Sequence, residues 1–496
     1  MPETAVKNIN TEIVIIGGGG AGLAAALETK ENGAKDVIVL EKRGNTGGNT
    51  ALSVGLFAVD SPAQKRISVA IRRDDMFKIA MEWAHWKINP LIVRAFLNKS
   101  GDTIRWFEAK GLKFECFPFY PNQFPLVWHQ TKGLGAQMMK FLASECREQG
   151  VKIHAKSPAK KILLNYKGGI IGVAADIDGD ETTITAKCVI IASGGYAGNK
   201  DLLKKYSREY HDNMECGGLP HTGDGLLMAT EIGAATEGLG LMLLGGPGPD
   251  MKLPTLKIGS YPDIIDTPLQ AITLEPNTLW VNRKGKRFVD ETTGFNHFLS
   301  SYAANRQPGN TTFTLLDKNI VRIMTEEGLV IGFHKEKIMQ QRTGMPGLER
   351  ELAAMAEKGG IKAANTLEEI ADWIGADRKV FKATIEEYNS ACDHGYDGVM
   401  GKNRAFLQPL RNPPFYAIET HSGLLDTIGG IKINEKMEVL DGDEKPIPGL
   451  YAAGVAAGGW EADCYCAVLS GAASGFAINS GRIAAENACR FISGKN

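Results

Sequence analysis

The first chemistry legible in the chain is Gly17-x-Gly19-x-x-Gly22, which follows the apolar run Glu12 to Ile16 and precedes an alanine- and leucine-rich segment reaching about Lys30. A strand that turns into a helix at such glycines aims free N–H groups and the positive end of the helix dipole at one point, which suits a pyrophosphate. The first glycine permits the tight turn and the second lets backbone approach phosphate. The third lets helix and strand pack closely. Glu41 closes the next β-branched run, Val37 to Leu40, nineteen residues beyond Gly22. There its carboxylate would accept hydrogen bonds from ribose hydroxyls and repel a 2′-phosphate. A dinucleotide is implied; this segment by itself leaves flavin and nicotinamide both open.

The elements that must position these residues form a βαβ unit opening at the amino end. A Gly/Asn/Thr/Ser-rich loop spans Arg43 to Asp60, and helical spacing predicts helices over 72–112 and 134–149. Antiparallel strands are expected over 159–186, and a third buried run, Cys188 to Ile191, ends in Ser193-Gly194-Gly195. Seven glycines and prolines between Met242 and Tyr261 mark a domain boundary. A hairpin is expected over 278–290, helices through 318–390, a proline-rich stop at 408–414, and a closing helix from Gly471 to about Ile492. The fold class is therefore α/β, with one dinucleotide domain from residues 1–240 and 416–496 and an inserted domain at 241–415.

Composition narrows the function. A chain of 496 residues exceeds one core, since domains hold roughly 100–200 residues each. Its 43% hydrophobic and 23% charged residues suit a globular enzyme and exclude disorder. Glycine is in excess, 58 residues without a collagen-like period, which implies many tight turns and close backbone approaches. A net charge of −1 gives no footprint for nucleic acid. No apolar run is long enough for membrane insertion, and the amino end lacks a signal-peptide core. The eight cysteines form no C-x-x-C pair, so no metal site is expected and a reduced, cytoplasmic protein is the default reading.

Five segments occur in a telling order: Thr46-Gly47-Gly48-Asn49-Thr50-Ala51, Ala192 to Gly195, His221 to Gly225, Asn282 to Glu291, and Gly449-Leu450-Tyr451-Ala452-Ala453-Gly454. Together they resemble the flavoprotein family of fumarate reductase and succinate dehydrogenase, closer to its 3-ketosteroid Δ1-dehydrogenase-like branch. The resemblance implies a Rossmann-like, glutathione-reductase-type FAD-binding domain with an inserted α+β capping domain. It implies FAD held by Gly17, Gly19, Ala21, Gly22, Glu41, Lys42, Gly48, Asn49, Thr50, Ala51 and Gly55. Ala159 would meet the adenine, Asp224 would lie near the flavin, and Ser193, Gly194 and Gly454 would line the site. Gly471, Ala473 and Ser474 would turn the closing helix toward the flavin's N1–C2=O edge, where free N–H groups stabilise the negative charge left by hydride arriving at N5. Asn49 stands where succinate dehydrogenases carry the flavin-linking histidine, so the FAD is expected to be non-covalent. Val455 stands where many members place a glutamate against the ribityl chain.

The diacid anchors of the resembled family are missing. Its arginine acid falls at Gly294, its substrate histidines at Leu425-Asp426, and its last arginine has no counterpart in Ala467 to Gly471. The site instead carries Phe117, Tyr120, Phe124, Trp128, His129, Phe295, His297, Tyr302 and Tyr465. The ketosteroid branch implies that tyrosines polarise a ketone and move the α-proton, which requires neighbours that lower their pKa from about 10 or supply a positive field. The catalytic candidates, in order, are Tyr465, Tyr302, Tyr120 and His129. Asp426 reads as an acid/base or a turn cap, and His221 as structural.

The expected activity is FAD-dependent ene reduction or α,β-desaturation of a neutral cyclic ketone, steroid-like or phenolic substrate, with an external electron partner that the residues do not identify. An unsaturated carboxylate reductase and an amino-acid or amine oxidase are the alternatives. A nicotinamide-dependent dehydrogenase is disfavoured by the terminal Tyr-Ala-Ala-Gly segment.

Overall fold

The structure is a computed structural model and describes residues 7–118, 124–250, 268–331 and 344–494. The chain forms two compact units. The first comprises Met1–Arg208, Gly218–Leu243 and Asp426–Asn496, and the second Glu209–Gly217 and Leu244–Leu425.

In the first unit the runs Ile13–Ile16, Val37–Leu40 and Cys188–Ile191 are wholly buried strands. Strands covered on both faces need no polar alternation, which is why they read as continuous apolar stretches. The sheet order is Glu438–Leu440, Pro446–Ala452, Cys188–Ile191, Ile13–Ile16, Val37–Leu40, Lys152–His154. All neighbours are parallel except the first pair. The order reverses direction around Ile13–Ile16, and ligands of open α/β sheets bind beyond the carboxyl ends of strands at such a point. A second sheet orders Lys7–Asn10, Asp180–Thr185, Ile170–Ile177 and Ala159–Leu164.

Helix Gly20–Glu31 lies under the closing helix Ala472–Ile492. A side chain at Gly481 would run into the Ala21 carbonyl, so only glycine lets the two helices meet there. Arg482 fixes their register, donating from Nε to Glu28 Oε2 at 2.7 Å and from Nη1 to Thr103 Oγ1 at 2.8 Å. The stretch expected to be helical over 72–112 is two helices, Arg73–Trp83 and Pro90–Ala109. Asn89 accepts from the Leu91 and Ile92 N–H groups and Pro90 opens the second helix, a start signal strong enough to split the run.

The second unit is built on a sheet ordered Met242–Gly248, Phe415–Thr427, Thr312–Asp317 and Leu279–Asn282, with Ile361–Ala364 also paired to the long strand. That long strand explains a shifted boundary. Residues Phe415 to Thr420 are in register with Asp317 to Thr312, so the proline cluster at 408–414 begins a strand of this unit and does not end the unit. The expected helical block over 318–390 is interrupted by the strand Ile361–Ala364, which follows Gly359 and Gly360 at positive φ. Glycine pairs in that conformation break a helix.

This unit also hides a charged network. Arg287 donates to Glu291 at 2.7 and 2.9 Å and to Asp397 at 2.7 Å, and Lys402 Nζ lies 3.2 Å from Glu291. All four side chains are buried. Lys402 also donates to the Thr278 carbonyl at 2.7 Å and to Tyr388 Oη at 3.0 Å. The Asn282 to Glu291 segment thus holds the hairpin to the loop carrying Asp397 and Lys402.

Candidate functional site

The fingerprint turn is shaped by missing side chains. Gly17 has φ +109°, and a Cβ there or at Gly22 would strike the Ala192 and Gly17 carbonyls respectively. Gly19 differs: the nearest atom its Cβ would meet is Gly48 Cα, at 3.7 Å. The loop Gly48–Leu52 lies against this turn, with Gly47 N–H bonded to the Gly18 carbonyl at 2.8 Å. Gly48 sits at φ +54°, and Thr50 fills the space where Gly20 has no side chain. Ala51 N–H closes the loop on Gly47 O at 3.2 Å.

Glu41 is buried at its strand end and accepts from Gly18 N–H at 2.9 Å and Arg43 N–H at 2.8 Å. Those bonds hold the carboxylate over the fingerprint. Ser157 N–H bonds to the Glu41 carbonyl at 2.8 Å, which brings the loop before Ala159 beside it. Across the turn, Ser193 Oγ is buried without a hydrogen-bond partner. An orphaned hydroxyl costs of order 1–3 kcal/mol. The open face of Gly19, a helix N-terminus, a held carboxylate and an unsatisfied buried hydroxyl fit a bound dinucleotide, so the residues present suit FAD.

The closing helix completes the same unit. Gly471 caps it at φ +80°, a Cβ there would lie 2.7 Å from the Leu56 carbonyl carbon, and Ser474 Oγ bonds to the Gly55 carbonyl at 2.6 Å. Gly454, at φ +67°, faces Ala21 and donates to Ser480 Oγ at 2.8 Å. Ala473 is a surprise. Its N–H donates to the Tyr465 hydroxyl at 2.9 Å, so it has no free donor for a flavin in this arrangement. Asp224 is likewise engaged, paired to Lys42 at 2.7 Å and bonded by Thr222 at 2.6 Å. Burial raises the Asp224 carboxyl, but the bonds from Lys42 and Thr222 outweigh it and hold the group below its ordinary value.

The catalytic candidates separate. Tyr465 is fully buried, and burial, only partly opposed by the Ala473 N–H, pushes its pKa far up. The condition set for a tyrosine base is therefore not met at this position. Its hydroxyl is an oxygen that caps a helix. His129 is also fully buried, which pushes its pKa down to about 4. Neutral imidazole then donates from Nδ1 to the Val127 carbonyl at 2.9 Å and accepts from Ser61 at 2.6 Å. Both nitrogens are spent on structure. Tyr302 is half-buried on helix His297–Asn305 of the second unit. Tyr120 lies outside the described residues. His297 opens the same helix as Tyr302, its imidazole pushed down to about 4 by burial.

Two groups of the first unit were underrated by sequence spacing. Glu461 is buried, its carboxyl pushed up to about 7, and it accepts from Ala462 and Cys466 N–H at 3.0 and 3.2 Å. It holds the loop that carries Tyr465. Asn49, His221 and Asp426 also converge, 377 residues apart at their extremes. Among the described residues no group of His, Cys, Asp and Glu is arranged to hold a metal ion.

Comparison with known proteins agrees with this geometry. A family model described as "FAD binding domain" matches residues 12–464. The chain is 32% identical over 498 residues to vinyl phenol reductase of Lactiplantibacillus plantarum, covering 98% of each protein. It is 28% identical over 487 residues to a probable fumarate reductase, Ifc3, of Shewanella frigidimarina, covering 97% of this chain and 75% of that one. Among solved structures, 3-ketosteroid Δ1-dehydrogenase of Sterolibacterium denitrificans superposes with a TM-score of 0.77 at 18% identity, covering 97% of this chain and 99% of that one. At that identity the likeness concerns the fold.

Proposed function

The chain belongs to this FAD binding domain family and is an FAD-dependent oxidoreductase, and from that premise we propose that it reduces the carbon–carbon double bond of a small, neutral phenolic substrate. The observation that carries the reading is the match to vinyl phenol reductase along 98% of both chains. A local feature supports it. Gly294, at the position of the family's arginine acid, is closed off by the Leu274 backbone, so no side chain fits there. A diacid leaving water needs fixed cationic partners, and this position offers none.

Bound in the cradle, FAD supplies the hydride. The protein's own groups do the rest. Gly17, Gly19 and the N-terminus of helix Gly20–Glu31 bind phosphate, Glu41 takes ribose hydroxyls, and Gly471 lets the closing helix start flush against Leu56 and Phe57. Electrons reach the site from a separate donor. Among the described residues no helix is long and apolar enough to cross a membrane; eight scattered cysteines without a C-x-x-C pair support a cytoplasmic setting.

The test is direct. Holoenzyme photoreduced under anaerobic conditions should be reoxidised by 4-vinylphenol with formation of 4-ethylphenol, and far more slowly by fumarate. Equal or faster reoxidation by fumarate would defeat the proposal.

A further inference from the structure

Asp426 is a buried carboxylate with an unusual set of neighbours. It accepts from Asn49 Nδ2 at 2.7 Å and from the Thr427 N–H at 2.9 Å, and its Oδ2 lies 3.3 Å from His221 Nδ1. Asn49 is braced in turn, its Oδ1 accepting from the Leu219 N–H at 2.6 Å. The side chains of Asp426 and His221 are 5% and 12% exposed, so the pair is sheltered yet the ring is reachable. No partner for His221 Nε2 exists among the described residues.

Two glycines make room for this pair. A Cβ at Gly194 would lie 2.7 Å from His221 Nδ1, and one at Gly195 would lie 2.6 Å from Asp426 Oδ1. Both follow the strand Cys188–Ile191, at the carboxyl end of the parallel sheet and next to the reversal of strand order. Asn49 belongs to the loop lying on the fingerprint turn. The pair therefore lies at the same end of the sheet as the dinucleotide cradle, joined to it through Asn49.

Resting on the phenolic reading above, we propose that His221 and Asp426 form an acid–base dyad that takes up and returns the hydroxyl proton of the substrate. The phenol O–H bond breaks, an N–H bond forms at His221 Nε2, and the imidazolium is held by Asp426 through Nδ1. Return of the proton reverses these changes, so no oxidant or co-reactant is consumed. A phenol releases its proton near pH 10 in water, so a base held by a carboxylate is needed at neutral pH. The free dyad is longer than an ideal hydrogen bond, as catalytic contacts often are before ligand binds. Asp224 lies three residues along the chain from His221 and is paired to Lys42. Asp224 and Lys42 are also bonded to Thr222, and Asp426 is within reach of the ring. The same carboxylate repels a dicarboxylate.

The experiment uses oxidised holoenzyme and 4-nitrophenol, whose absorption reports its own protonation. Titrated below the pH at which it ionises in solution, 4-nitrophenol should bind wild-type enzyme with the phenolate spectrum. Asp426→Asn and His221→Gln, checked for full FAD content by visible absorbance, should bind it with the neutral spectrum. Both variants should also lose about 100-fold or more in turnover of 4-vinylphenol, the usual scale of acid–base catalysis. Neutral binding to the wild type, or a phenolate spectrum retained in both variants, would overturn the dyad. The first outcome would leave double-bond reduction standing if 4-vinylphenol is still consumed. Failure of 4-vinylphenol to reoxidise the wild type while 4-nitrophenol binds as phenolate would remove the proposed substrate and keep the dyad.

Discussion

In the first unit, Gly17, Gly22 and Gly471 stand where any side chain would collide with backbone. In the second, Arg287, Glu291, Asp397 and Lys402 bury four charges around one tyrosine. Both regions coincide with family-like segments, yet they achieve order by opposite means. One packs backbone against backbone and leaves room for a ligand at Gly19, where an added Cβ would meet nothing nearer than 3.7 Å. The other fills its interior with groups that satisfy each other, since burying a charge is tolerable only with excellent geometry and full hydrogen bonding. A recurring segment can therefore mark a binding surface or an internal brace, and only the partners distinguish the two.

The contrast can be broken most forcefully in the second unit. Glu291→Ala strands Arg287 and Lys402 without their shared carboxylate, and should cost about 3–5 kcal/mol, the range for breaking a buried pair. Denaturant melts of the holoenzyme measure it; a loss below about 1 kcal/mol would mean the network is slack.

A second lever is pH, acting on the first unit. Glu461 keeps its proton up to about pH 7 when folded, against an ordinary value of 4.5. The folded state then binds more protons than the unfolded state between those values, so stability falls as pH rises through that window. The span is of order 3 kcal/mol, fully present below pH 4.5 and gone above pH 7. Glu461→Gln should flatten this part of the stability profile. An unchanged slope would assign it to another group.

The mildest perturbation is steric. Gly22→Ala forces a methyl against Gly17 O, an overpacking worth roughly 1–3 kcal/mol. FAD content should drop more than helix content. Normal visible absorbance with full occupancy would show that the turn can yield.

These regions also explain what could be read in advance. The fingerprint was legible because its logic is local: glycines within six residues, then a strand ending in an acid. The central strands were legible from apolar runs alone. The ion network was not, because Glu291 meets Lys402 directly and Asp397 through Arg287, both more than a hundred residues later. The surroundings of His129 were hidden for the same reason: they depend on Ser61 and on complete burial. Tyr465 was read as preceding the closing helix, and spacing could not reveal that its oxygen would take the Ala473 N–H. The encounter of Asn49, His221 and Asp426 needed two loops and the end of the long strand Phe415–Thr427 to be brought together.

The pairing of Arg482 with Glu28 has a consequence for biosynthesis. A ribosome releases helix Gly20–Glu31 long before it makes its partner, so a nascent chain carries Glu28 and the Ala21 surface uncovered until Arg482, 454 residues on, has been made. A chain that stopped before helix Ala472–Ile492 would leave Glu28 without the Arg482 guanidinium and the Ala21 surface without the glycine that packs on it.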